Sequence, residues 1–288
     1  MTDTSENKKE KILLDEITQI IDKSNFESPF FKKESNNSYG HFSSIIKEIR
    51  DGKTGKSHLV KIRPPLFYLN GVLSNLSRLL SGTSSRKILD NDRWRKREIQ
   101  YLKNLNPDIE IGQTPQDNAI MMEKINGKVA YDILRDEDLD RKKKLKTIID
   151  LSEALEDIHE KDLYHGEPNT QNCIVAEDGE IYWIDFEIEY HEDLTLIEKK
   201  ANDLEQLIFS IMGAFEREGE IGLDDEQLIE LVLESYGDED VITHFINNPN
   251  FPIIGPYRMV QLTFSSPYRF YEAQLNLLKY LNDWDIDL

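Results

Sequence analysis

Apolar positions along this chain change period from two to about 3.6, and the changes mark out its elements. From Lys11 the residues Ile12, Leu13, Ile17, Ile20 and Ile21 recur at helical spacing, which predicts an amphipathic helix behind a polar tail over 1–10. A turn cluster at Asn36, Asn37, Ser38 and Gly40 separates two strand-like runs, the second over 42–49 with Phe42, Ile45, Ile46 and Ile49. Residues 52–56 then turn the chain into a strand over 58–63. Pro64-Pro65 stops that strand, because proline has no amide N–H to give to a ladder. Leu66, Leu69, Val72 or Leu73, Leu76 and Leu80 step by three and four, one leucine stripe along a helix over 66–80. Ser81-Gly82-Thr83-Ser84-Ser85 breaks it. A basic helix over 92–105 carries Arg93, Arg95, Lys96, Arg97, Glu98 and Lys103, and a buried-looking strand over 118–125 ends at an Asn126-Gly127 turn. A long helix opens within 142–146 and keeps Ile148, Ile149, Leu151, Leu155 and Ile158 on one face. Short strands over 173–176 and 181–184 flank Glu177-Asp178-Gly179, and from Ala201 the pattern is helical almost to the end. No repeat or low-complexity block interrupts this order. Strands first and helices later predict an α+β protein of two lobes, not an alternating βαβ sheet.

Composition narrows the partners. The 288 residues include 35 Lys and Arg against 55 Asp and Glu, a net charge of −20. That surplus argues against binding duplex nucleic acid, where cationic side chains neutralising phosphates supply most of the affinity. A hydrophobic share of 39%, with 12 Tyr and 12 Phe, implies a packed core, in one large domain or two lobes. The single cysteine, Cys173, makes neither an internal disulfide nor a multi-thiolate metal site, and reads as a small buried hydrophobe. The polar first ten residues show no secretory signal, and the longest uncharged run, 64–77, is too short for a transmembrane segment. A cytoplasmic, reducing environment is the expectation.

The chemistry concentrates in His165-Gly166-Glu167-Pro168-Asn169-Thr170-Gln171-Asn172, followed by Trp183-Ile184-Asp185-Phe186-Glu187. Phosphoryl transfer asks the protein for positioned metal, phosphate contacts and an acceptor for the nucleophile's proton. A loop carboxylate, an Asn five positions later, and a second carboxylate behind an apolar strand supply such parts: Glu167, Asn172 and Asp185. His165 reads as a hydrogen-bonded scaffold residue and His159 as core.

This block resembles the catalytic and metal loops of the protein-kinase-like superfamily, H-x-D-x-x-x-x-N followed by D-F-G. Its His-Gly start is similar to the atypical branches: RIO and KEOPS-complex kinases, UbiB-like proteins, lipopolysaccharide-core kinases, and aminoglycoside and choline phosphotransferases. The resemblance covers roughly 30–215, with 165–187 its specific part. It implies a bilobal fold with a small antiparallel-sheet N-lobe, a mainly helical C-lobe, and Mg²⁺-ATP in the cleft. Residues 1–28 are then a tail and helix, 29–125 the N-lobe with a helical insertion near 66–80, and 126–288 the C-lobe with the catalytic and metal loops.

By the same resemblance Glu167 is the catalytic carboxylate, Asn172 and Asp185 are the metal ligands, and Lys61, paired with Glu98, holds the phosphates. Met122 is implied as gatekeeper, with Glu123 and Ile125 offering backbone groups to adenine, and Gly40 stands for a degenerate glycine-rich loop. Asp203 is implied to brace the catalytic loop. Three departures stand out. Glu167 replaces the usual Asp, Glu187 replaces Gly as in small-molecule phosphotransferases, and the activation segment is missing.

The function so implied is γ-phosphoryl transfer to a hydroxyl, by an atypical Ser/Thr protein kinase. The alternatives are a small-molecule kinase for a sugar, aminoglycoside or choline-like alcohol, and a pseudokinase or regulatory ATP-binding subunit. Lys61 and Glu98 lie 37 residues apart, more than a compact small lobe needs. The leucine stripe of the intervening helix is expected to pack on that lobe or against a partner protein.

Overall fold

The computed structural model describes residues 38–41, 44–50, 55–80, 84–248 and 267–284. The helix expected from Lys11 and the turns expected at Asn36-Asn37 and 52–54 lie outside them. Among the described residues the chain divides into two units. One holds the residues up to Leu73 together with Ile88–Ile125, and the other holds Ser74–Lys87 together with the residues from Asn126 onward.

In the first unit β1 (Ser38–His41), β2 (Ser44–Arg50), β3 (Ser57–Ile62), β5 (Ile111–Gln113) and β6 (Ala119–Glu123) form an antiparallel sheet of order β1-β2-β3-β6-β5. Ile49, Val60, Ile62 and Ala119 form its core cluster, with Ile45 and Met121 packed against it. Helix α2 (Asn91–Leu105) starts where the Asp90 side chain accepts from Arg93 N at 2.7 Å, an N-cap that satisfies one of the helix's orphan donors. Its Trp94 is fully buried and stacks on the Arg63 guanidinium, 4.0 Å from the ring centroid. Arg63 also donates to Ile88 O at 2.9 Å, which holds the strand end against the approach to the helix.

The interval of 37 from Lys61 to Glu98 does contain a helix over 66–80, α1 (Leu66–Leu80). Of the two expectations for its leucine stripe, packing on the lobe is not what the described residues show, and a partner protein is the expectation that stands untested. Leu66, Leu69, Val72, Leu73, Leu76 and Leu79 are each at least half exposed, while Phe67, Gly71, Ser74 and Arg78 form the buried face. Periodicity located the helix, and within this chain the covered face is the other one. Replacing Leu69 and Leu76 together with Asp is therefore expected to cost about 1 kcal/mol or less, the difference in helix propensity. Phe67→Ala is expected to cost roughly 3–5 kcal/mol. Urea unfolding of both variants checks the assignment, and equal losses would contradict it.

From Ser74 onward α1 belongs to the second unit. Of the break expected over 81–85, residues 81–83 lie outside the described residues, and Ser85 already starts a strand that the sequence did not show. This strand, β4 (Ser85–Lys87), pairs antiparallel with β10 (Ile188–Tyr190). Asn75 ties β4 back to the helix, donating to Lys87 O at 3.0 Å and accepting from Lys87 N at 2.6 Å.

The rest of the second unit begins with β7 (Gly127–Val129) and α3 (Ala130–Arg135). The long helix α4 (Arg141–Glu160) follows, and β7 joins the hairpin β8 (Cys173–Ala176) and β9 (Ile181–Trp183) in a three-stranded sheet. Helix α5 (Leu196–Ala214) opens on a Thr195–Glu198 capping box, five residues before the expected start, and is buried on all sides over its last ten residues. Around it come α6 (Asp225–Tyr236), α7 (Glu239–Asn247) and α8 (Pro267–Trp284). A buried pair of hydrogen bonds from Arg269 to the Asp225 carboxylate, at 2.6 and 2.7 Å, joins α8 to α6. The class is α+β, with the antiparallel sheet in the first unit and helix dominating the second. This is the class expected from the sequence, a small antiparallel sheet before a mainly helical part. Among the described residues no helix is long and apolar enough to cross a membrane.

Candidate functional site

In the first unit, Lys61 sits on the central strand β3, opposite Ile46 of β2 and Ile120 of β6. Its ammonium meets Glu98 Oε1 of α2 at 3.0 Å. Both are buried, Lys61 at 8% exposure and Glu98 at 1%. A buried ion pair is weak evidence for stability, since an apolar pair of the same volume often does as well or better.

The other residues expected to meet nucleotide in this unit are spread along strand ends. Met122 is buried in β6 opposite Leu59 and Ile111. The Glu123 amide is committed to Glu110 O at 2.7 Å, and its carboxylate pairs with Lys56 at 3.2 Å. That leaves Ile125, past the strand end, as the residue whose backbone N–H is uncommitted among the described residues. Gly40 does not sit in the expected turn. It lies inside β1, opposite Ile45 of β2.

In the second unit the loop 163–172 is held from below by one carboxylate. Asp203 of α5 has no exposure, and it accepts from His165 N at 2.5 Å, Gly166 N at 2.9 Å and Tyr190 Oη at 2.7 Å. His159 Nε2, on α4, stands 3.2 Å from it, and the other ring nitrogen meets Tyr236 Oη at 2.5 Å. The loop needs Gly166 where it turns. Its φ is +92°, and a Cβ there would come within 2.5 Å of Ile188 O. His165 is buried against Phe186 and Trp183 and reaches Ile184 O through Nε2 at 3.1 Å, so it is scaffold. Thr170, likewise buried, donates its amide to Ser210 Oγ at 2.7 Å. Cys173 is fully buried, and that burial pushes its thiol pKa up.

On this platform Asn172 Nδ2 donates to Glu167 O at 2.9 Å, which fixes the amide plane and leaves Oδ1 without a donor among the described residues. Ile184 N donates to Asn172 O at 2.9 Å, so the next residue, Asp185, emerges beside Asn172. Asp185 has φ +71°, a left-handed conformation sparsely populated by side chains other than glycine and concentrated at functional sites. An amide oxygen and a carboxylate are hard oxygen donors, the type Mg²⁺ takes when phosphates and waters complete its shell. Among the described residues no group of three His, Cys, Asp or Glu forms a metal cage, which a phosphate-bridged Mg²⁺ does not need.

Sequence reasoning missed the cations that face this loop. Arg78, on the buried face of α1, is 2% exposed. Its Nη2 donates to Glu167 Oε1 at 2.9 Å and its Nη1 to Ser85 Oγ at 2.7 Å. Lys87 of β4 forms an ion pair with the buried Glu187, and Arg86 donates to Glu189 at 2.7 Å. Burial pushes the Glu167 carboxyl up, while Arg78 and Lys87 pull it down and Asp185 and Glu187 push it up further. The available signal was that Arg78 is the lone charge in the fifteen residues of α1.

No family model matches the sequence, and no curated protein matches it. Among solved structures, the MAP kinase LmaMPK10 from Leishmania major is similar over 93% of this chain and 81% of that one, at 11% identity and a TM-score of 0.39. A likeness at that level adds nothing to the chemistry, which stands on this chain's own residues.

Proposed function

We propose that this protein is a Mg²⁺-ATP-dependent phosphotransferase that moves the γ-phosphoryl group to a hydroxyl, with a Ser or Thr side chain of a protein as acceptor. The observation that supports it most is the loop from Glu167 to Asn172. There one turn presents a carboxylate with an uncommitted oxygen and a fixed amide oxygen, both braced from Asp203. When bound, Mg²⁺-ATP supplies the phosphoryl group and the metal charge that offsets its oxygens. Asn172 and Asp185 are the residues that would hold the metal, and Lys61, oriented by Glu98, would contact the phosphates. Glu167 would accept the proton of the attacking hydroxyl through Oε2. Glu187 is spent on Lys87, so it does not single out a small-molecule acceptor. A net charge of −20 suits a basic protein through field complementarity.

Incubation with γ-labelled ATP and Mg²⁺ tests the reading, with label expected on a basic Ser/Thr protein. Label on small alcohols alone would move the acceptor class. Binding has its own test. Mg²⁺-ATP at about 100 times its dissociation constant is expected to add roughly 2.7 kcal/mol of stability. Asp185→Asn is expected to lose the Mg²⁺-dependent part of that thermal shift, because it keeps the shape and removes the charged ligand. Lys61→Met is a poorer probe, since it removes one partner of a buried ion pair and so disturbs the fold as well as the site. No metal-dependent shift at millimolar nucleotide would overturn the reading.

A further inference from the structure

The two departures at Glu167 and Glu187 meet the insertion at the same place. Each carboxylate is paired with a cation from one short segment of the second unit, Arg78 with Glu167 and Lys87 with Glu187. A third pair, Arg86 with Glu189, lies in register across the β4–β10 ladder. Arg86 and Lys87 are successive strand residues, so their side chains leave opposite faces of the ladder and fasten it on both. Asn75, hydrogen-bonded to both backbone groups of Lys87, closes the segment on itself. Arg78 is thus held at both nitrogens of its fork, by Ser85 and by Glu167.

That geometry acts on one atom. Glu has one more rotatable bond than Asp, so an unrestrained Glu167 would spread its carboxylate over more rotamers. The Arg78 fork takes Oε1 through a charge-assisted hydrogen bond, and Oε2 accepts from no described residue. We propose that the end of α1 and strand β4 are a built-in brace of the catalytic loop, with Arg78 the positioning residue that pins Glu167 so that Oε2 alone faces the acceptor hydroxyl. The proposal rests on the reading of Glu167 as proton acceptor. It explains why a longer carboxylate and an inserted helix occur in one chain.

The test is Arg78→Gln in the full-length protein, beside Arg78→Lys, Glu167→Gln and the double variant Arg78→Gln/Glu167→Gln. A misplaced reacting group costs about 10²-fold, so Arg78→Gln should lower kcat by about that factor with KM for ATP unchanged. Arg78→Lys should recover part of the loss, keeping the charge without the fork. The double variant should be no slower than Glu167→Gln alone, because the Arg acts only through that carboxylate. Faster transfer by Arg78→Gln would make the contact inhibitory, and unchanged or multiplicative effects would make it structural; each overturns the brace. If wild type neither transfers phosphate nor gains stability from Mg²⁺-ATP, the phosphotransferase reading fails on its own. Hydrogen exchange of the 165–172 amides in nucleotide-free protein then judges the brace. Exchange should quicken in Arg78→Gln and less in Arg78→Lys, and no change would overturn it.

Discussion

Replacing Glu167 with Gln is expected to lower phosphoryl transfer by about 10²-fold or more, within the usual range for a positioned acid–base group. Gln keeps the length and the hydrogen-bonding reach of Glu but has no basic oxygen to take a proton. The loop itself should survive the change. Its brace runs through the backbone of His165 and Gly166 to Asp203, and the Asn172 amide bonds to the Glu167 carbonyl and not to its side chain. Mg²⁺-ATP should consequently stabilise Glu167→Gln as it does wild type, so steady-state transfer and a thermal shift on the same preparations separate chemistry from binding. Glu167→Asp should retain part of the activity, because the carboxylate remains while its reach to Arg78 shortens. If wild type and Glu167→Gln transfer phosphate equally slowly to every acceptor, the carboxylate is no base. The chain is then a pseudokinase or a regulatory ATP-binding subunit.

Asp203→Ala is expected to cost about 3–5 kcal/mol in urea unfolding, because each buried donor left without an acceptor costs about 1–3 kcal/mol. The carboxylate satisfies two loop amides and the Tyr190 hydroxyl, and all three donors would be left buried without it. Each such hydrogen bond to a charged group carries roughly 1.5–3 kcal/mol. Asp203→Asn should fall between wild type and Ala. Its amide keeps one acceptor oxygen but turns an NH₂ towards N–H donors. Hydrogen exchange at His165 and Gly166 should rise in both variants, and a loss below about 1 kcal/mol would mean that the loop is held by other contacts.

The local parts of this site could be read along the chain because each leaves a mark within a few residues. Lys61 follows an apolar pair in a strand, Glu98 falls on the basic helix, and the interval from Glu167 to Asn172 is that of a turn whose side chain bonds back to its own start. Asp203 followed from its resemblance to a bracing acid on a later helix. Gly40 was misplaced because a glycine in polar company signals a turn, and nothing local announces that β1 pairs through it with Ile45. The leucine stripe could not say what covers it for a related reason. Spacing by three and four marks a helix face, but being covered is a property of the neighbours, and here they cover Phe67, Ser74 and Arg78 instead.

Arg78 shows where local reading stops. Its partner Glu167 lies 89 residues further on, and Arg86 and Glu189, which face each other across two three-residue strands, are 103 apart. Strands that short carry too few residues for a period, and a charge pattern does not say which of 55 carboxylates a given arginine will meet. Residue types and spacings were enough to determine the α+β class, and with the resemblance they point to the loop 165–172 and to Glu167 as the residues to test. Which cation meets that carboxylate was decided by the folded chain alone, because an ion pair depends on distance in space and not on separation along the sequence.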